Sequence, residues 1–221
     1  MNAIRRLLLI RHGLPDYSAR KAEDEPPGPP LSCVGREQIR QSIAVVRPLG
    51  PVAIYSSPLA RARQSAALVA TALGLPVRVD TDLKEWHRSE RLHQVNERSA
   101  RWLRRWLQSD EPCAAVFGHA SPLLSILRTA LFLPHFHWWR RGSREHFVLN
   151  TCDRFELSMG SVFELVFEPH SVTARCRHHP QPRIVNLTRR GVVRRFPRPT
   201  LVGENLEVRR PNFGRLIGYT G

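Results

Sequence analysis

Five side chains in this sequence have the types and placement to do chemistry together. His12 stands just beyond the apolar run Leu7–Ile10, and His119 just beyond Ala114–Phe117. Arg11 adjoins His12, Arg61 falls one turn into a helical stretch after a run ending at Tyr55, and Glu85 follows Val77–Val79 across a short polar segment. A lone histidine at a strand end is more often a hydrogen-bonded structural residue than a catalyst. Two histidines, two arginines and a carboxylate on one rim describe a reaction instead. Guanidinium forks can hold the oxygens of a phosphoryl group. A histidine beside them can act as nucleophile if its reacting nitrogen is neutral, and nearby cations favour that form. The second histidine can donate to another phosphoryl oxygen. A carboxyl group in reach can protonate the leaving oxygen and then deprotonate an attacking water. The proposed chemistry needs no metal, and neither a metal nor a cofactor is expected.

The elements that must position these groups alternate. Leu7–Ile10, Val52–Tyr55, Val77–Val79 and Ala114–Phe117 read as short buried strands. Ser32 is a candidate N-cap for a helix to about Arg47, and Leu59–Leu73 reads as a helix ended by Gly74. Residues 94–107 carry a helical pattern, and Ser121 opens a helix to Leu133 with Pro122 in its first turn. Val162–Phe167 alternates as a strand, with Val172–Cys176 returning antiparallel. Beyond Pro180 the periodicity fades. Such alternation predicts an α/β three-layer sandwich, a mostly parallel central sheet flanked by helices. In such sheets functional groups gather at the carboxyl ends of strands. The expected division is a domain over 1–180 and an Arg/Pro-rich extension over 181–221.

The motifs also carry a resemblance. Leu9-Ile10-Arg11-His12-Gly13 resembles the R-H-G signature of the histidine phosphatase superfamily, the phosphoglycerate-mutase-like proteins. Further matches follow in the family's order: Leu31-Ser-Cys-Val-Gly35-Arg-Glu-Gln38, then Ser56-Ser57-Pro58-Leu59-Ala60-Arg61-Ala62, then Leu83-Lys84-Glu85, then Val116-Phe117-Gly118-His119-Ala120. Gly160-Ser161-Val162 fits the start of a late strand. The resemblance spans residues 5 to about 178. It implies a phosphoglycerate-mutase-like fold and a phosphohistidine intermediate on His12. It further implies catalytic roles for Glu85 and His119, and phosphate binding by Arg11, Gly13, Arg61, His119 and Ala120.

Three departures from the family's pattern narrow what the resemblance implies. Mutase-type members show T-x-x-N after R-H-G, where this chain has Leu14-Pro15-Asp16-Tyr17. The G-x-W-E-G that follows the acid in mutases is absent, and Glu90 is an alternative proton donor to Glu85. Only 33 residues separate Glu85 from His119, where mutases insert a longer cap. A short cap leaves an open pocket. Water must reach phosphohistidine for hydrolysis, so the small phosphatase branch is expected, acting on a small phosphorylated substrate or a phosphoprotein. The alternatives are a phosphomutase and a non-catalytic binding module using a basic tail. Specificity is expected in loops 14–31, 86–93 and 134–150.

Composition bounds the rest. The 221 residues carry a net charge of +15, with 42% hydrophobic and 24% charged residues, ordinary globular usage apart from the charge. Residues 169–221 hold eleven arginines against two glutamates. That tail, with Arg189–Arg198 at its centre, could contact nucleic acid or an acidic partner, an unfavoured reading, or wrap the domain or the neighbour in a homodimer. Arginine dominates the whole chain, Lys21 and Lys84 being the only lysines, so the charge is as easily compositional as functional. His135 and His137, two apart, lack the further ligands a metal needs. The apolar stretch 7–10 is too short for a signal peptide, and no run is long enough for a membrane span. Cys33, Cys113, Cys152 and Cys176 form no C-x-x-C pair, which predicts neither zinc nor a disulfide framework and suggests the cytoplasm.

Overall fold

The computed structural model describes residues 4–19, 21–131, 157–169, 171–180 and 206–209. Seven strands form one sheet in the order β3-β2-β4-β1-β5-β6-β7. They are β1 (Arg5–Arg11), β2 (Ala53–Ser56), β3 (Val77–Val79), β4 (Cys113–Gly118), β5 (Val162–Phe167), β6 (Ser171–His178) and β7 (Leu206–Arg209). The first four in spatial order are parallel; β5, β6 and β7 continue as an antiparallel meander. Four α-helices, α1 (Cys33–Val46), α2 (Ala60–Leu73), α3 (Leu92–Gln108) and α4 (Ala120–Ala130), and three single 3-10 turns, at Tyr17–Ala19, Arg47–Leu49 and Thr81–Leu83, complete the described elements.

The unbroken apolar run of β1 follows from burial on both faces. Leu7 and Leu9 join Trp102, Leu103 and Trp106 of α3 and Leu123 and Leu127 of α4 in one core. Leu8 and Ile10 join Ile39 and Val46 of α1 and Ala66 and Val69 of α2 in the other. The result is helix, sheet, helix, the three layers the alternating sequence predicts. Each fully buried leucine or isoleucine contributes about 1.5–3 kcal/mol.

Local chemistry sets the element ends. Ser32 caps α1, its Oγ accepting from Gly35 N–H at 3.0 Å. Gly74 ends α2 at φ 68°, a left-handed position suited to glycine. Helix α4 begins at Ala120, one residue before the expected Ser121, because His119 takes the cap; its expected end at Leu133 lies outside the described residues. Strand β7 was not legible in the sequence. Four residues are too few for a period to show, and its register comes from the open edge of β6, with Ser171 opposite Arg209 and Ala174 opposite Leu206. No helix among the described residues is long and apolar enough to cross a membrane.

Strand register brings three carboxyl ends to one level. Arg11 pairs with Gly118 and Ser56 with Phe117. Two further backbone bonds extend the seam past the strands: His12 N–H to Gly118 O and Ser57 N–H to Phe117 O, both 3.0 Å.

Candidate active site

His12 leaves β1 into the protein interior and is 3% exposed. Its Nδ1 lies 2.7 Å from the Gly13 carbonyl. A carbonyl only accepts, so Nδ1 carries the proton and Nε2 bears the lone pair. Arg61 Nε donates to that Nε2 at 3.1 Å. Burial, then the charges of Arg11 and Arg61, hold the His12 pKa well below the ordinary histidine value. The imidazole is therefore neutral with a defined reactive nitrogen.

His119 is fully buried at the end of β4, its ring 5.0 Å from that of His12. Its Nε2 lies 2.7 Å from Ser57 Oγ, which also accepts from Leu59 N–H at 3.3 Å. With the Ser57 hydroxyl donating to Nε2, Nδ1 is the N–H. Burial first, then His12, Arg61, Arg11 and Arg98, depress the His119 pKa strongly.

Arg61, on the first turn of α2, is 3% exposed. Burial lowers its pKa, opposed chiefly by Glu85, so that carboxylate lies within electrostatic reach of the guanidinium. Arg61 Nη1 and His119 Nδ1 are buried without a hydrogen-bond partner among the described residues. Buried polar groups are rarely left so. Both fit a bound anion. Arg11 Nη1 donates to the Leu157 carbonyl at 2.6 Å, fixing its side chain beside the same rim.

Two glycines let the His12 loop approach α1. A Cβ on Gly13 would lie 2.2 Å from Gly35 O, and one on Gly35 2.2 Å from Leu14 O. Gly13 gives its N–H to Ser65 Oγ at 3.3 Å and its carbonyl to His12, so its described bonds orient the histidine. Ser65 Oγ in turn donates to Arg61 O at 2.8 Å. Ala120 is the first residue of α4, placing that helix N-terminus beside His119.

The two carboxylates weighed as proton donors are in different states. Glu85 Oε1 accepts from Trp86 N–H at 2.8 Å. Glu90 takes bonds from Arg98 Nε and Nη2, both 3.1 Å, and from His87 N–H at 3.1 Å, with Lys84 Nζ 3.6 Å away. Despite its burial, bonds from Arg98 and the His87 amide pull the Glu90 pKa down. Of the pair, Glu90 is committed to its partners.

Motif reading quoted Ser57 without giving it a role, and it missed Arg98. Arg98, Arg101 and Arg105 recur at helical spacing on α3, and that spacing was the available signal. Arg101 and Arg105 bind Asp82 at 2.6 and 2.7 Å, fastening the segment before Glu85. Loops 14–31 and 86–93 touch: Asp24 Oδ2 accepts from Arg88 N–H at 3.3 Å, and Glu25 Oε1 is 3.5 Å from His87 Nε2. Loop 134–150, His135, His137, Cys152 and the Arg189–Arg198 tail lie outside the described residues.

Comparisons with known proteins bear on the family and the fold. Residues 7–89 match the family model of the histidine phosphatase superfamily (branch 1). A glucosyl-3-phosphoglycerate phosphatase of Mycolicibacterium vanbaalenii is 37% identical over 84 residues, 38% of this chain and 37% of that protein. A protein of Enterobacter sp. named as a probable phosphoglycerate mutase is 34% identical over 77 residues, 35% of this chain and 36% of that one. The matched stretch thus spans little more than a third of either relative. A solved mycobacterial glucosyl-3-phosphoglycerate phosphatase superposes with a TM-score of 0.61 at 21% identity, covering 80% of this chain and 98% of that one. That likeness shows the fold. Residues 7–89, which hold His12, Arg61 and Glu85, are thus similar to the histidine phosphatase superfamily (branch 1).

Proposed function

We propose that this protein hydrolyses phosphomonoesters through a phosphohistidine on His12. The observation that carries this reading is the buried neutral His12, with Nδ1 tied to Gly13 and Nε2 facing the Arg61 guanidinium. Arg61 Nε guards the lone pair until a phosphoryl group arrives. The fork then turns to the phosphoryl oxygens, joined by Arg11, His119 Nδ1 and the Ala120 amide. Nε2 attacks phosphorus, the N–P bond forms, and the ester P–O bond breaks. The Glu85 carboxyl gives its proton to the departing oxygen. Water then attacks phosphorus and loses a proton to the Glu85 carboxylate. The N–P bond breaks, releasing phosphate and restoring neutral His12. Fixed positive charge stabilises both transition states.

The substrate class is a small phosphomonoester. Glucosyl-3-phosphoglycerate belongs in the first panel because a relative is named for it. The free thiols of Cys33, Cys113 and Cys176 support a reducing, cytoplasmic setting. The test is phosphate release from a broad panel with EDTA present, comparing the intact chain with His12→Ala. Release by the intact chain that His12→Ala abolishes is expected. Release unaffected by the substitution would name another nucleophile.

A further inference from the structure

Arg98 spends five donor contacts on one short segment. Nη1 binds the carbonyls of Asp82 at 2.7 Å and Lys84 at 2.6 Å. Nη2 binds the Glu85 carbonyl and Glu90 Oε2, both at 3.1 Å, and Nε binds Glu90 Oε1 at 3.1 Å. Arg98 is 5% exposed, so these bonds meet little competition from water. Glu90 closes the bracket by accepting His87 N–H at 3.1 Å, while its own carbonyl accepts Trp86 Nε1 at 2.8 Å. Residues 82–90 form no regular element beyond the single turn at Thr81–Leu83. Arg98 and Glu90 therefore hold the middle of this segment, between the Arg101 and Arg105 pairs with Asp82 at one end and the Asp24 contact with Arg88 near the other.

We infer that the Arg98–Glu90 pair is a positioning device for the general acid, fixing the backbone on both sides of Glu85 so that its carboxyl meets the leaving oxygen. The inference rests on the assignment of Glu85 as the proton donor. Both groups act through Glu85. Lysine at position 98 keeps the charge but has no planar fork to bridge three carbonyls and a carboxylate. A misplacement of about 1 Å can cost on the order of 10²-fold in rate.

The test separates leaving groups by their need for a proton. p-Nitrophenolate departs without one; the alkoxide of glycerol 2-phosphate does not. The quantity read is kcat/KM, which ends at transfer to His12 and so excludes later hydrolysis of phosphohistidine. Arg98→Lys is expected to lower kcat/KM for glycerol 2-phosphate by about 10–10²-fold and for p-nitrophenyl phosphate by less than about threefold. Glu90→Gln, which keeps an acceptor for His87 N–H, is expected to show the same selectivity in smaller measure. Glu85→Gln sets the scale. If Glu85→Gln discriminates and neither positioning variant does, through equal losses on both esters or none, the device is overturned and the acid assignment stands. If Glu85→Gln itself fails to discriminate, the acid assignment falls and the device with it.

Discussion

Arg61 is a buried cation whose Nη1 has no hydrogen-bond partner among the described residues, and such a group is kept for binding at a cost in stability. Arg61→Met is expected to cut kcat/KM by about 10²-fold or more, as loss of a fixed transition-state donor does. The same variant should melt no lower than the natural chain, because it removes a desolvated charge. A lower melting temperature would make Arg61 structural. The histidines fix a pH dependence of known sign. In the unfolded chain imidazole takes a proton near pH 6.5. Burial and neighbouring guanidiniums keep His12 and His119 neutral below that pH in the fold. The unfolded state then binds more protons, so stability is full above about pH 6.5 and falls as the pH drops below it. Each imidazole contributes a slope approaching about 1.4 kcal/mol per pH unit. Denaturant melts between about pH 7.5 and 5 should show this, and His12→Asn should remove one proton from the dependence. An unchanged slope would mean that His12 protonates in the fold.

At the level of elements, the loop after β1 and the first turn of α1 meet backbone to backbone. Gly35→Ala would place a methyl against Leu14 O and N, which have no rotamer to yield. A loss of about 1–3 kcal/mol by denaturant melt is expected, together with a fall in activity because the same loop holds His12. Unchanged stability would show that α1 can retreat. The sequence made much of this level readable. Ser32, Gly74 and the four-residue apolar runs locate α1, α2 and the central strands; His12 and His119 fall just past strand ends that the register aligns, and Arg61 on the first turn of the helix after β2. What stayed hidden depends on partners far along the chain. Arg98 looks like any arginine of a charged helix until the fold lays it under residues 82–90. Glu85 and Glu90 have identical chemistry, and only their surroundings separate them. Strand β7 exists by virtue of an edge that β6 offers.

For the whole molecule, the described site residues occupy positions 11–120, with Leu157 adding one carbonyl, whereas β7 lies at the far edge of the sheet beyond β5 and β6. We propose that residues 1–180 suffice for catalysis and that 181–221 are an extension whose strand covers β6. Ending the chain at Pro180 should leave kcat/KM within about twofold, while the bared β6 edge promotes self-association visible by light scattering. Loss of activity with the tail would place part of the site there.

The central claim is that His12 carries the phosphoryl group. Glu85→Gln, in which the second step lacks its base, should accumulate the intermediate when mixed with p-nitrophenyl phosphate and quenched in alkali. Peptide mass spectrometry is expected to find a phosphoryl group on His12, labile to acid, and none in the His12→Asn protein. A phosphoryl group on another residue, or turnover in the His12→Asn protein, would contradict the account.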